Sequence, residues 1–178
     1  MFWCTECFLS CPLCKSCILS SHMQLPFHTI QMWSGTHFIQ TSLSILGAIV
    51  YLGHHSHPCP NNSILKKGQS TVIVHTNGIH QIRIEYCCCA GAPEDFIQLT
   101  RSELFPASPQ QPETVFTFSL LRNFHVHTHT SKKSALDYYE ATVRHTKKVF
   151  PQSVPVSFVF LICTIIECSV NYNSDTIP

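Results

Sequence analysis

Cysteine and histidine are the residues of this sequence whose types and spacing could do chemistry. Eleven cysteines and twelve histidines occur among 178 residues. Thiolates and imidazoles at short spacing are the ligands that zinc prefers, whereas a disulfide framework belongs to secreted proteins with paired cysteines. The cysteine count is odd, and the first residues lack the basic and apolar regions of a secretory signal. The sequence therefore predicts reduced cysteines bound to metal.

The first group of candidate ligands lies within residues 1–33. Two Cys-x-x-Cys pairs are followed by two histidines, and a short turn of this kind presents two thiolates to one ion. The candidates are Cys4, Cys7, Cys14, Cys17, His22 and His28. One zinc ion takes four ligands, so six candidates leave the pairing open. Cys11 lies outside both pairs, and we expect it to be a spare thiol.

Two pairings are consistent with this spacing. In the simpler one, the four cysteines of the two pairs form a single four-thiolate site. The spacing also resembles the second half of a B-box, a small module in which two zinc ions are held by alternating ligand pairs. That resemblance implies that Cys4 and Cys7 share one ion with the two histidines. It also implies that Cys14 and Cys17 need a ligand pair from upstream, so that the module is only partial here.

A second group of candidate ligands is split between the segments LGHHSHPCP and YCCC. The hairpin signal Asn77-Gly78 lies between them, and folding the chain about it brings the two segments together. The ligands we expect are His54, Cys59, Cys87 and Cys89. His55 and His57 are alternatives to His54, and Cys88 should point away because successive strand side chains face opposite sides. Buried cysteines without an ion are the competing interpretation.

Both groups predict structural metal sites and no enzyme. A site with four protein ligands is closed, whereas a catalytic zinc keeps one position open for water or substrate. The chain has ten acidic residues and six glycines, with no carboxylate constellation and no phosphate-binding loop. We therefore expect no catalytic residues, no small-molecule substrate, and metal ions that stabilise small folded elements.

The rest of the chain predicts an α+β fold in which a small zinc-stabilised module precedes a body with a β-hairpin. In that hairpin, Ile82, Ile84 and Tyr86 alternate with polar residues and should face a core. A strand or a short helix should follow over 96–104.

An αα-hairpin should complete this body. Its first helix should begin at Pro112 and its second at Ser131 as N-cap, with HVHTHTS as the loop between them. Ala135, Tyr138 and Tyr139 follow the spacing of one helix face, and these aromatic residues most simply belong to the core.

Charge and hydropathy limit the partners. The formal net charge is +1 and only 12% of residues are charged, which argues against bulk DNA or an acidic membrane as a purely electrostatic partner. A weak basic patch runs from Arg122 to Lys148. The apolar run from Val154 to Ile166 is shorter than the roughly 20 residues of a membrane span, so we expect no membrane insertion.

Ten stretches together resemble the cysteine-cluster domain associated with KDZ transposases in fungal genomes. They run in order through residues 3–146 as WCTECF, LCKSCILSSH, LPFHTIQMW, HFIQTSL, LGHHSHPCP, TNGIH, YCCC, IQLTRSELFPAS, PETVFTFSLL and SKKSALDYYEATVRHT. The resemblance implies a zinc-binding accessory domain of a mobile-element protein, located in the nucleus. It does not specify the partner, for which DNA or a chromatin protein is our expectation. Composition and the two resemblances together divide the chain into a partial B-box-like zinc module at 1–33, the cysteine-cluster domain at 34–148, and a divergent hydrophobic tail at 149–178. The missing upstream ligands and this tail indicate a fragment.

Overall fold

The computed structural model describes residues 1–61, 68–108, 110, 112–132 and 134–146. The apolar run from Val154 to Ile166 therefore lies outside the described residues. Within them, strands and helices are mixed, which confirms the predicted α+β class. No helix of this part of the chain is long and apolar enough to cross a membrane.

The first sheet is a three-stranded antiparallel meander near the N-terminus. It contains β1 (Phe2–Cys4), β2 (Ile30–Trp33) and β3 (Phe38–Thr41), and α1 (Lys15–Ser21) lies between β1 and β2 in sequence. Ile30 stands opposite both Cys4 and Thr41. The core of this unit is small, since it consists of Cys4, Ile18, Ile30, Leu43 and Leu46.

The second sheet has five strands in the order β4-β6-β5-β8-β7. Its strands are β4 (Ile49–Tyr51), β5 (Gln69–His75), β6 (Gly78–Glu85), β7 (Leu104–Pro106) and β8 (Thr114–Thr117). The β5–β6 hairpin at its centre is antiparallel, while β4 runs parallel to β6 and β8 runs parallel to β5. A 3-10 turn (His54–Ser56) follows β4, and α2 (Asp95–Arg101) precedes β7.

The two faces of this sheet support two clusters of buried side chains. Ile73, Ile82 and Ile84 face a cluster that includes Leu99 of α2. Val74 and Ile79 face the opposite cluster, which is closed by α3 (Phe118–Ser131) and α4 (Ala135–Thr146). The alternation predicted for β6 is therefore present, and α3 and α4 form the expected helical hairpin.

The predicted hairpin turn is shifted by one residue. His75 pairs with Gly78, so the two loop residues are Thr76 and Asn77. Gly78 has φ +143, whereas Asn77 is not among the residues with positive φ. The glycine is required at the strand end, because a Cβ there would lie 2.9 Å from the Thr146 hydroxyl.

The prediction that a helix begins at Pro112 is wrong, because the first part of that segment is a strand. Residues Thr114–Thr117 form strand β8, all four of them buried, and α3 begins only at Phe118. Threonine and valine suit a strand that is enclosed on both faces, and pairing with β5 outweighs the helical spacing. The Thr117 side chain then accepts a hydrogen bond from the Leu120 N–H and caps the helix.

The predicted loop HVHTHTS is also wrong, because α3 continues through it to Ser131. Phe124 is buried against α4, with its ring centroid 5.1 Å from that of Tyr138, and this contact favours the helix over a loop. The chain leaves the helix at Lys132, which adopts a left-handed conformation. Ser134 serves as the N-cap of α4 instead of Ser131, since its hydroxyl oxygen accepts from the Asp137 N–H at 3.2 Å.

Candidate metal centres

The first tetrad consists of Cys4, Cys7, His22 and His28, whose ligand atoms all lie within 4.8 Å of one another. Cys4 ends β1, Cys7 follows in the next turn, His22 is the C-cap of α1, and His28 precedes β2. The Cys7 Sγ lies 3.3 Å from His22 Nε2 and 3.4 Å from His28 Nδ1, and the Cys4 Sγ lies 3.4 Å from the same Nδ1.

The second tetrad consists of His54, Cys59, Cys87 and Cys89, again within 4.8 Å of one another. His54 Nε2 lies 3.2 Å from the Cys87 Sγ and 3.5 Å from the Cys89 Sγ, and the sulfurs of Cys59 and Cys89 are 3.7 Å apart. These distances match the edges of a zinc tetrahedron. Bonds of about 2.3 Å to sulfur and about 2.1 Å to nitrogen put S and N about 3.6 Å apart and two sulfurs about 3.8 Å apart.

His22 is oriented as a metal ligand. Its Nδ1 lies 2.9 Å from the Ile18 carbonyl oxygen and donates to it, so the lone pair of Nε2 faces the Cys7 sulfur. Burial lowers the pKa of His22 and so favours the neutral ring that a metal requires. A backbone carbonyl on the second ring nitrogen is the usual support of a ligating histidine.

Without a cation, the thiols of the first tetrad oppose each other's ionisation. The Cys7 N–H donates to the Cys4 sulfur at 3.3 Å, which holds the pair in a tight turn. Burial raises the pKa of Cys7, and the hydrogen bond and charge of Cys4 raise it further. A bound divalent cation reverses this effect, because it stabilises both thiolates at once.

The second tetrad shows the same opposition between its thiols. A hydrogen bond from the Cys88 N–H lowers the pKa of Cys59 to about 6. Hydrogen bonds with Cys59 and Cys87 raise the pKa of Cys89 to about 11.

The turn that carries His54 is conformationally strained. His54, His55 and Ser56 have φ values of 46°, 53° and 68°, all in the left-handed region that non-glycine residues seldom adopt. Each such residue costs on the order of 1 kcal/mol and persists only where surrounding contacts enforce it. An ion shared by His54, Cys87 and Cys89 would enforce this conformation, because it would hold the His54 ring next to the two sulfurs.

The alternatives for the second tetrad lie outside it. His55 and His57 are exposed, and neither belongs to the group. The Cys88 thiol donates to the Tyr86 carbonyl oxygen at 3.6 Å, so Cys88 turns away from the tetrad as the strand alternation predicted.

The second Cys-x-x-Cys pair of the N-terminal unit is placed apart from the histidines. Cys14 and Cys17 are exposed at the start of α1, and they belong to no group of three or more potential ligands among the described residues. The structure therefore does not assemble the four-thiolate arrangement. Hydrogen bonds with the Ser16 hydroxyl and the Cys17 N–H lower the pKa of Cys14 to about 7. Cys11 is an exposed free thiol.

Two supporting residues were missed by the sequence reasoning. The buried Gln98 accepts from the Cys87 N–H at 2.8 Å and donates to the Cys87 carbonyl at 3.1 Å, which fixes the backbone of one ligand. Glu6 stands between two ligands of the first tetrad and accepts hydrogen bonds from the Thr29 N–H and the Asn77 side-chain amide. No local sequence signal distinguishes either residue, because their partners are distant in the chain.

A comparison with models of protein families shows the family of this chain. A family model described as the CxC2-like cysteine cluster associated with KDZ transposases matches residues 43–149, well over half of the chain. The chain belongs to this family. The CxC2 match contains the second tetrad and begins after the first. A search of curated proteins gives no match, and neither does a search of solved structures.

The matched range tests one of the two resemblances seen in the sequence. It confirms the resemblance to the KDZ-associated cysteine cluster. It starts after the first tetrad, so the B-box-like nature of residues 1–33 stays a prediction, as do the proposed domain boundaries.

Proposed function

We propose that this CxC2 chain is a non-catalytic zinc-binding accessory domain of a KDZ-type transposase protein. Its metal ions would hold the shape of a recognition surface and would take no part in a reaction. The observation that carries this proposal is the pair of Cys/His tetrads whose ligand atoms are spaced as the corners of a zinc tetrahedron.

Zinc is the ion that suits both donor sets. The first tetrad offers two thiolates and two imidazoles, and the second offers three thiolates and one imidazole. Tetrahedral sites of this composition favour zinc, while magnesium and calcium prefer oxygen ligands. Four protein ligands also saturate the ion, which supports a structural role, because catalysis by zinc needs a position for water or substrate.

The association of the family with KDZ transposases supports a nuclear partner. We propose DNA or a chromatin protein as that partner, contacted in part by the basic residues of the helical hairpin. Arg122 lies on α3, Lys132 at its C-cap and Arg144 on α4, and all three are exposed. Lys133, Lys147 and Lys148 of the same basic patch lie outside the described residues. A patch of this size supports a modest electrostatic contribution to binding.

The alternative is a protein–protein interaction module like a B-box, with no link to DNA. The observation that favours it is the ligand pairing in the first tetrad, which is the pairing that the B-box resemblance implies. Exposed aromatic side chains support the same function: Trp33 and Phe38 are 41% and 44% exposed and pack edge to face on the β2–β3 hairpin.

Native mass spectrometry of the intact protein, purified without chelator, tests the zinc assignment. We expect two zinc ions per chain, and one ion in a Cys59→Ser variant. A folded protein without metal, or one whose cysteines are joined as disulfides, would contradict the proposal. A Cys11→Ser variant is the matched control and should keep both ions.

Binding to duplex DNA over a range of salt concentrations separates the two functions. If phosphates are contacted, the affinity should fall steeply with salt, because each neutralised phosphate releases a counterion. Replacing Lys132 and Arg144 by Gln should then reduce the salt slope by roughly one per phosphate contact. No binding at low salt would exclude the DNA function and favour the protein-interaction module.

A further inference from the structure

The histidine-rich segment of α3 takes no part in either tetrad. His125, His127 and His129 alternate in sequence, but the helix separates them into two sets. Residues four apart share one side of a helix, while a residue two apart lies nearly opposite. His125 and His129 therefore form one pair, and their ring centroids are 4.5 Å apart in an edge-to-face arrangement.

His127 occupies a different environment. Its ring centroid lies 5.7 Å from that of Tyr138 on α4, so it packs within the helical hairpin. His129 is exposed and His125 is partly exposed, and the imidazoles of this pair are open to solvent. The chain thus provides an exposed pair and, within the same segment, a histidine on another side of the helix that packs against Tyr138.

We propose that His125 and His129 form a surface chelate for a late first-row divalent cation such as zinc, nickel or copper. Imidazole suits these ions, and two rings one helical turn apart can occupy neighbouring positions on one ion. Water completes the coordination sphere, because no Cys, Asp or Glu among the described residues forms a group of three with this pair.

The electrostatics of the helix favour a cation at this position. His129 lies in the last turn of the 14-residue α3, where the partial charge of the helix is negative. Two cationic residues lie near this pair. Arg122 contacts the Glu103 carboxylate at 3.5 Å, which offsets part of its charge, and Lys132 lies beyond the helix end at the left-handed cap.

The chelate should differ from the tetrads in affinity and exchange. It offers two neutral ligands on an open surface, whereas each tetrad offers four ligands including thiolates. The ion on α3 should therefore leave first when a competing chelator is added. It would serve as an exchangeable site, or as a point where a partner could supply the remaining ligands.

Zinc chloride titration of the protein already loaded at both tetrads tests the proposal. NMR should show a further binding event at the rings of His125 and His129, distinct from any zinc bound by the exposed thiols of Cys14 and Cys17. Replacing either histidine by Ala should weaken this event by roughly tenfold or more, because loss of even an outer partner of a ligand costs about that much.

His127→Ala is the matched control and should leave the affinity of the further site unchanged. Native mass spectrometry of each variant should still show two tightly bound zinc ions, which separates this test from that of the proposed function. The chelate is overturned if the Ala variants at 125 and 129 bind as the parent protein does. It is equally overturned if His127→Ala weakens the site as much as they do.

Discussion

Each tetrad depends on single residues that orient its ligands. His22 is aimed by the Ile18 carbonyl, and the backbone of Cys87 is fixed by the Gln98 side chain. Such second groups hold ligands in position before an ion binds. The direction of a side chain therefore matters as much as its residue type. In the CCC triplet, Cys87 and Cys89 belong to the second tetrad, whereas Cys88 points away from it.

Cys88 and Cys89 provide a matched pair of substitutions at the residue scale. Cys89→Ser removes a ligand of the second tetrad and should lower the unfolding free energy by about 3 kcal/mol or more, because metal binding energy contributes to folding. Cys88→Ser removes only a weak hydrogen bond to Tyr86 and should cost about 1 kcal/mol or less. Thermal melts and zinc content measure both, and equal effects would remove the assignment of Cys89.

His80 should make stability depend on pH. Burial, together with the charge of His75, lowers the pKa of His80 to about 4 from an ordinary 6.5. The unfolded chain therefore takes up the proton first, and the unfolding free energy should fall as the pH drops from 6.5 to 4. This histidine contributes a loss of at most about 3 kcal/mol.

A His80→Gln variant isolates that contribution. Glutamine keeps an N–H donor for the side-chain Oδ1 of Asn77, which His80 Nε2 contacts at 2.8 Å, and it does not titrate. Metal release in acid affects both proteins alike, so the difference between their urea unfolding curves reports His80. We expect the variant to lose less stability between these pH values, and parallel pH profiles would contradict the assignment.

At the scale of elements, the turn of the first tetrad is tied to the central hairpin. The Asn77 side-chain amide donates to both Glu6 carboxylate oxygens, at 2.9 and 2.8 Å, and to the Phe27 carbonyl at 2.7 Å. Burial raises the pKa of Glu6, but the hydrogen bonds from Thr29 and Asn77 outweigh it and hold the pKa below its ordinary value. The charged carboxylate thus links β1 to the β5–β6 turn.

Asn77→Ala should weaken this link and loosen the first tetrad. The loss of its hydrogen bonds should lower the unfolding free energy by roughly 1–3 kcal/mol, because the Glu6 charge loses part of its support. Zinc should leave the first tetrad faster in a chelator competition assay, while the second tetrad is unchanged. Thr76→Ala, in the same turn but exposed, is the control and should change stability by less than about 0.5 kcal/mol.

At the scale of the whole molecule, the tetrads tie together segments that are distant in sequence. The first joins residues 4 and 28, and the second joins residues 54 and 89. The hydrophobic cluster of the N-terminal unit contains five buried residues among those described, which is little apolar surface to hold three strands and a helix. Metal binding can supply the missing stability of such a unit.

Removal of metal should therefore affect the molecule unevenly. A strong chelator should abolish the near-UV signal of Trp3 and Trp33 in the first sheet before the large second sheet unfolds. Zinc should restore the signal and magnesium should not, because magnesium prefers oxygen ligands. Circular dichroism during chelation and back-titration measures this, and an unchanged spectrum in the metal-free protein would contradict it.

The sequence alone determined the candidate ligands, the second tetrad, the central hairpin and the buried face of α4. These features follow from residue type and short spacing, since a Cys-x-Cys pair or an alternating strand carries its signal locally. For the first tetrad, the sequence left two pairings open. The fold brings His22 and His28 to Cys4 and Cys7 and leaves Cys14 and Cys17 exposed at the start of α1.

Only the tertiary structure decided the features that depend on distant partners. Thr114–Thr117 forms a strand because β5 lies beside it, and HVHTHT is helical because Phe124 packs on Tyr138. Local propensities for these segments are weak, and burial against another element outweighs them. The hydrogen bonds of Glu6 with Asn77 and of Gln98 with Cys87 likewise arise only once the chain has folded, because their partners lie 71 and 11 residues away.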